Sequence, residues 1–262
     1  MKIYKKESLI EALKEIKKLG WIKTQRPGND GGVGNTLEDL LEIPENNLAI
    51  ANTVDWELKT QRRSTSSLVT LFHLDPQPRK PMTVVARHLL PVYGWPHKEA
   101  GKKYPKSEMS FRATLSGNRS TDRGFSINVN SIESRVELVF DFNKTEDQHK
   151  AWLNKVRKKL GQGSIVPVAF WTFEELQKKC AGKIKNAIFV VADVRKGDKG
   201  EEFSYSEIWK LEDFAFNNLL KGIISGKLFV DFDARTGHNH GTKFRMHAKD
   251  WPMFFSKVTH VG

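Results

Sequence analysis

The chain has 262 residues, 39% of them apolar, which suits one large domain or two small ones with an ordinary buried core. Its 43 Lys and Arg against 31 Asp and Glu leave a net charge of +12 that favours a polyanionic partner, nucleic acid first; acidic residues, 7 Trp and 16 Phe interleaved with the basic ones argue against a disordered basic tail. The single cysteine, Cys180, excludes an intrachain disulfide and a thiolate-rich zinc site, and with no signal-like or membrane-length apolar run a soluble, cytoplasmic protein is expected.

Ser8 and Glu11 make a capping-box pattern for a first helix whose apolar face is Leu9, Ile10, Leu13, Ile16 and Leu19, ended by Gly20. Residues 27–35 are too rich in glycine for a regular element and predict a flexible loop. A short helix follows over Thr36–Leu41, capped by Asn35 or Thr36 and stopped before Pro44. From Val54 to Thr60 the chain alternates, with Val54, Trp56 and Leu58 on one face and Asp55, Glu57 and Lys59 on the other, as a strand does. Leu68–Leu74 predicts a second strand, and 75–110, rich in proline and basic residues, predicts long irregular loops facing a polyanion. Phe125–Asn130 and Val136–Asp141 predict a hairpin, followed by a basic helix near His149–Leu160. Buried strands are expected at Ile165–Trp171 and Ile184–Val194, around a helix capped by Thr172 and Glu175. A helix after Glu212, carrying Phe214, Leu219, Leu220 and Ile223, and a strand over Lys227–Arg235 complete the set. This mixed order predicts one α/β fold with a central mixed sheet flanked by helices.

The Asp55–Lys59 strand is the chemical candidate. Hydrolysis of a phosphodiester asks for carboxylates that hold a divalent cation and for a positive group beside the developing charge. Glu57 and Lys59, two residues apart on a strand, lie on one face about 7 Å apart along the backbone, and Asp55 extends that face. Glu38 on the preceding short helix is their companion. The same pattern also suits an edge strand showing its polar side to water, and the tripeptide alone does not separate the two.

Gly34-Asn35-Thr36-Leu37-Glu38-Asp39-Leu40-Leu41 and Asp55-Trp56-Glu57-Leu58-Lys59-Thr60 resemble the Gly-x-x-Leu-Glu and Glu-Leu-Lys-Thr signatures of MutH-like nucleases, most closely the MvaI/BcnI type of restriction endonuclease. The similarity continues through Ser67–Phe72, Leu115–Arg119 and His238–Arg245 and covers most of the chain in matching order. It implies a PD-(D/E)XK core in which Glu57 and an upstream acid bind Mg²⁺, Lys59 contacts the scissile phosphate and Glu38 assists. Ungapped matching puts Asn52 at the upstream acid; Asp55 is the better ligand and is assigned there, with Asn52 as the alternative.

His238-Asn239-His240 is not the dispersed HNH signature. A zinc site or a plain solvated loop competes with base readout for these residues; readout by His238, Asn239, His240 and Arg245 is the reading the resemblance favours. Asp231 matches a recognition position of the family, whereas Asp233 stands where an arginine is expected. Asn118 and Arg119 suit either a groove contact or an ordinary turn, while Arg26, Arg62 and Arg63 flank the catalytic strand and suit DNA backbone contacts. Cys180 has no base beside it in the sequence that would make it a nucleophile.

The resemblance implies one nuclease domain over residues 1–262, with a catalytic lobe mainly in the N-terminal half and a recognition lobe mainly in the C-terminal half. The expected activity is that of a type II restriction endonuclease cutting a short, GC-rich duplex site with Mg²⁺, as a monomer, beside a DNA methyltransferase that protects the host. A MutH-like nickase and a catalytically weak, sequence-specific DNA-binding module remain as alternatives.

Overall fold

The computed structural model describes residues 4–24, 31–43, 56–63, 67–78, 84–161, 165–198 and 200–262. In chain order the elements are α1 (Lys6–Lys18), β1 (Ile22–Lys23), α2 (Gly32–Leu40), β2 (Trp56–Arg62), β3 (Leu68–His73), β4 (Trp95–Pro96), β5 (Met109–Leu115), β6 (Arg123–Asn130) and β7 (Arg135–Thr145). They continue with α3 (Lys150–Leu160), β8 (Ile165–Thr172), α4 (Phe173–Lys183), β9 (Asn186–Gly197), β10 (Gly200–Phe214), α5 (Phe216–Ile224), β11 (Leu228–Arg235), β12 (His238–Asn239), β13 (Lys243–His247) and β14 (Phe255–His260). The strands form three sheets rather than the single central sheet expected, although the class is mixed α/β as anticipated.

The chain divides into two compact units, the first comprising Met1–Val69, Cys180–Ala215 and Ala248–Gly262, the second Thr70–Lys179 and Phe216–His247. The first is built on a five-stranded mixed sheet in the order β1-β10-β9-β2, with β14 also on β10. β2 runs parallel to β9, and the other pairs are antiparallel. One face is covered by α1 and α2: Leu9, Leu13, Ile16, Val33, Leu37 and Leu41 pack on Ile188, Val190, Phe203, Tyr205 and Ile208, joined by Trp56 and Leu58 of β2. The buried Tyr205 hydroxyl donates to the Val33 carbonyl at 2.8 Å, tying α2 to the sheet.

Two expectations fail here for local reasons. α1 starts earlier than predicted: Lys5 is the N-cap, Ser8 closes the turn from inside through Lys5 N–H at 3.0 Å, and Glu11 pairs with Lys14 instead. The glycine-rich stretch is not irregular throughout, because Gly32 and Gly34 lie within α2, whose N-cap is Gly31 rather than Asn35 or Thr36. Thr36 is buried there, and burial of Val33 and Leu37 repays the helical cost of glycine.

The second unit holds two sheets, one ordered β3-β13-β11-β5-β4 with β12 also on β11, the other β6-β7-β8. Tyr93, Phe111, Phe125 and Phe140 are buried in edge-to-face and tilted contacts, and Trp152 meets Phe125 and Phe140. The predicted β6–β7 hairpin forms, as does the capping box of α4, with Thr172 N–H on Glu175 and Glu175 N–H on Thr172 Oγ1, each at 3.2 Å. The 75–110 stretch corrects the sequence reading: Val85–Tyr93 is a π-helical segment with buried Val85, Leu89, Leu90 and Tyr93, and β4 and the start of β5 follow. The fifteen-residue β10 was missed because its polar and apolar residues lose their alternation at a bulge between Tyr205 and Glu207. Among the described residues no helix is long and apolar enough to cross a membrane.

Candidate active site and nucleic-acid interface

β2 realises the predicted alternation. Trp56 and Leu58 join the helix-covered core, and Glu57 and Lys59 leave from the opposite face. Lys59 Nζ lies 2.6 Å from Glu57 Oε1, with the side chains 29% and 34% exposed respectively, so the pair is sheltered but reachable. Their strand partners on β9 are Ala187 and Phe189, both buried, which fixes the backbone beneath the pair. Glu38 is half-buried on α2 beside Leu37, and α2 packs against β2. Arg26, Asn52 and Asp55, all assigned from the sequence, lie outside the described residues.

Arg62 and Arg63 have carboxylate partners within the same unit. Arg62 makes a two-pronged bond to Glu201 at 2.6 and 2.7 Å. Arg63 bonds Asp193 and Glu207, each at 2.6 Å, and Ser206 at 2.9 Å, and these carboxylates raise its pKa further. Both arginines thereby tie the end of β2 to the sheet, Arg63 to its neighbour β9 and both to β10 beyond it. Along the Glu57–Lys59 face the strand continues into a cleft of about 230 Å³ lined by Gln61, Arg63, Phe189, Val191, Trp209 and Lys249, among others. Cys180 is buried and its thiol is pushed up to about 12 by burial, which makes it a poor nucleophile.

In the second unit, β11 alternates without a break. Leu228, Val230, Phe232 and Ala234 are buried, and Asp231 and Asp233 leave on the other face. Neighbouring strands supply their partners. Thr114 of β5 donates to Asp231 Oδ1 at 2.8 Å, and Arg245 of β13 donates to its Oδ2 at 3.0 Å. Arg112 of β5 stands directly across from Asp233, with Nε 2.7 Å from Oδ1. The sequence therefore lacks the arginine expected at 233, and the fold sets one beside that position from another strand.

His238 and His240 are exposed at the end of the β11–β12 turn, with their rings edge-to-face at 4.3 Å, and Asn239 accepts the Gly241 N–H at 3.0 Å. Asn118 is committed to structure on two sides: it accepts from Ser116 at 2.9 Å and donates to the Ser225 carbonyl at 3.3 Å. Arg119, exposed, helps line an open cleft of about 440 Å³ with Ser120, Thr121, Ser126 and Lys144. Arg112 and Thr114 fall between the predicted 75–110 loops and the next predicted strand and carry no sequence expectation; the polar positions 110, 112 and 114 alternating with Phe111, Ala113 and Leu115 are the signal that marks them as a strand. Among the described residues no group of three or more His, Cys, Asp or Glu is placed to hold a metal ion, so the His pair has no zinc partners there.

No curated protein matches the chain in sequence. Among solved structures, restriction endonuclease MvaI in complex with its cognate DNA substrate is 25% identical and superposes with a TM-score of 0.73 over 97% of both chains. MvaI in the absence of DNA, again 25% identical, gives a TM-score of 0.56 over 97% of this chain and 98% of that one. The MvaI/BcnI restriction endonuclease family matches residues 10–255. With the match spanning almost its whole length, the chain belongs to the MvaI/BcnI restriction endonuclease family and is a DNA-cleaving hydrolase.

Proposed function

We propose that the chain is a type II restriction endonuclease that hydrolyses double-stranded DNA at a short, GC-rich sequence with Mg²⁺, on a PD-(D/E)XK core of the MutH-like type. The observation that carries this is the Glu57–Lys59 pair, a carboxylate and an ammonium 2.6 Å apart on one face of a rigid strand. Lys59 engages Oε1 of Glu57, which leaves Oε2 for a metal, and Mg²⁺ takes hard oxygen ligands and needs only one or two from the protein. Glu57 would hold the ion with Asp55, or with Asn52 in its place, and Glu38 would assist from α2. When bound, the ion lowers the pKa of an attacking water and polarises a phosphoryl oxygen. Lys59 stabilises negative charge on the scissile phosphate, and the strand beneath it keeps that charge in position before reaction begins.

In this reading the first unit carries catalysis and the second reads sequence. Asp231, Asp233, Arg245, His238, Asn239 and His240 supply donors and acceptors that match base edges, and Arg119, with Asn118 behind it, meets the DNA from a loop. Arg26 suits a phosphate contact. Arg62 and Arg63 would serve DNA only by giving up Glu201, Asp193 and Glu207, so we give them the role of bracing β2. The enzyme works as a cytoplasmic monomer, beside a separate methyltransferase that protects the host genome.

The test is incubation of the wild type and Glu57→Ala with unmethylated plasmid DNA, in Mg²⁺ and in EDTA, followed by sequencing of fragment ends. Discrete fragments from the wild type in Mg²⁺ alone are expected. Site-specific binding without cleavage would replace this reading by the binding module, and single-strand nicks alone would replace it by the nickase. Affinity should fall steeply with salt, since each neutralised phosphate releases counterions.

A further inference from the structure

β11 places Asp231 and Asp233 on one face about 7 Å apart, and each aspartate holds an arginine from a different neighbouring strand. The two arginines are held differently. Arg245 is gripped at its tip, Nη1 to Asp231, and its side chain is 28% exposed. Arg112 is gripped at Nε, at the base of the fork, and is 49% exposed. A guanidinium fixed through Nε keeps both Nη groups for a second partner, and those two donors match the O6 and N7 acceptors of guanine in the major groove. The pair also sits in the middle of a hydrogen-bonded ladder, Arg112 opposite Asp233 and Thr114 opposite Asp231, which holds it more firmly than a loop would.

From this geometry we infer that Arg112 reads a guanine of the target and that Asp233 is a positioning residue, which aims the guanidinium without itself specifying the base. The inference rests on the proposal above that this face of the second unit meets the bases. Opposite charges facing each other across two strands also stabilise a sheet with no further role. The two roles differ in what they do to base discrimination.

The experiment sequences the ends cut from a randomised duplex pool to obtain the wild-type target. Duplexes of that target, carrying 7-deazaguanine at one guanine at a time, are then cut by the wild type, Arg112→Ala and Arg112→Lys. Loss of the N7 acceptor at one particular guanine should slow the wild type roughly 5-fold or more. Arg112→Ala should be insensitive to that replacement and Arg112→Lys, with one ammonium in place of the fork, should respond less than the wild type, while both still respond at the other guanines. Arg112→Lys guards against a folding defect, because the ammonium keeps its charge opposite Asp233 but has no fork. Asp233→Asn should weaken the response at the same guanine and at no other. If both Arg112 variants keep the wild-type pattern and change only the melting temperature, the pair is structural and the inference is wrong. If the wild type gives no preferred ends, the restriction reading fails and takes the inference with it; selective cutting with an unchanged 7-deazaguanine pattern sinks the inference alone.

Discussion

Lys59→Ala should leave the fold almost unchanged and remove most of the cleavage, and the two expectations have separate physical origins. The Glu57–Lys59 pair is short, 2.6 Å, but its side chains keep 34% and 29% of their exposure. An ion pair so open to water contributes at most about 1 kcal/mol. The backbone ladder from β2 to β9, in which Lys59 stands opposite Phe189, does not depend on the ammonium. Urea unfolding should therefore show a loss below ~1 kcal/mol. In the proposed role of Lys59 the chemical step loses a fixed charge aimed at the developing negative charge, and deleting one such group costs about 2.7–4 kcal/mol, roughly 100- to 1000-fold in rate. Single-turnover cleavage of a target duplex with enzyme in excess isolates that step, and anisotropy of the same labelled duplex in EDTA reports binding. Affinity should fall less than about tenfold, because one phosphate contact among several is lost. A variant that cuts within a few-fold of wild type would refute the role of Lys59. A stability loss above ~3 kcal/mol would instead make the pair structural.

Tyr205→Phe removes the buried hydroxyl that donates to Val33, so urea unfolding should show a loss of about 0.5–1.5 kcal/mol; unchanged stability would mean the bond does not tether α2. At Gly226, φ is +71° and an added Cβ would fall 2.3 Å from the Asn118 amide, whereas Gly237 has φ of +70° and nothing within 4 Å. Gly226→Ala should then lower the melting temperature more than Gly237→Ala, which bears only the strain of about 1–2 kcal/mol; equal shifts would show that Asn118 yields freely. Burial lowers the His88 pKa below 6.5, so the folded protein resists a proton that the unfolded chain accepts. Its contribution is intact above pH 6.5 and lost as pH falls through that value towards the folded pKa, and His88→Gln should lose less stability than wild type between pH 7 and 5.

What could be read in advance depended on how far along the chain each signal extends. The β6–β7 hairpin, α3, the capping box of α4 and β11 rest on contacts within a few residues or on unbroken alternation, and they formed where the sequence put them. The start of α2 was misjudged because two glycines in a row of turn-forming residues outweigh helical preference locally, and only the buried contacts of Val33 and Leu37 reverse that. β10 escaped because its bulge breaks the two-residue period, and the division into three sheets escaped because strand order is set by crossovers that no local pattern encodes. Glu57 and Lys59 were legible for a simple reason: two residues apart on a strand means the same face.

The proposed readout groups lack that simplicity. Asp231 and Asp233 were found as single residues, but what each can do depends on Thr114, Arg245 and Arg112, two of them in a stretch more than a hundred residues earlier. An aspartate alone at a base edge can only accept a hydrogen bond, as from cytosine N4; the same aspartate bound to an arginine presents a donor fork and favours guanine. On the inference that Arg112 reads guanine, the base preferred at position 233 depends on the residue at 112, which no reading of 231–233 alone can show. It follows that Arg112→Ala should do more than weaken recognition: with the guanidinium gone, Asp233 is left to accept, and the base preferred opposite it should move toward cytosine. Ends cut by Arg112→Ala from the randomised pool would show that shift, and an unchanged guanine there would mean that some other group reads it.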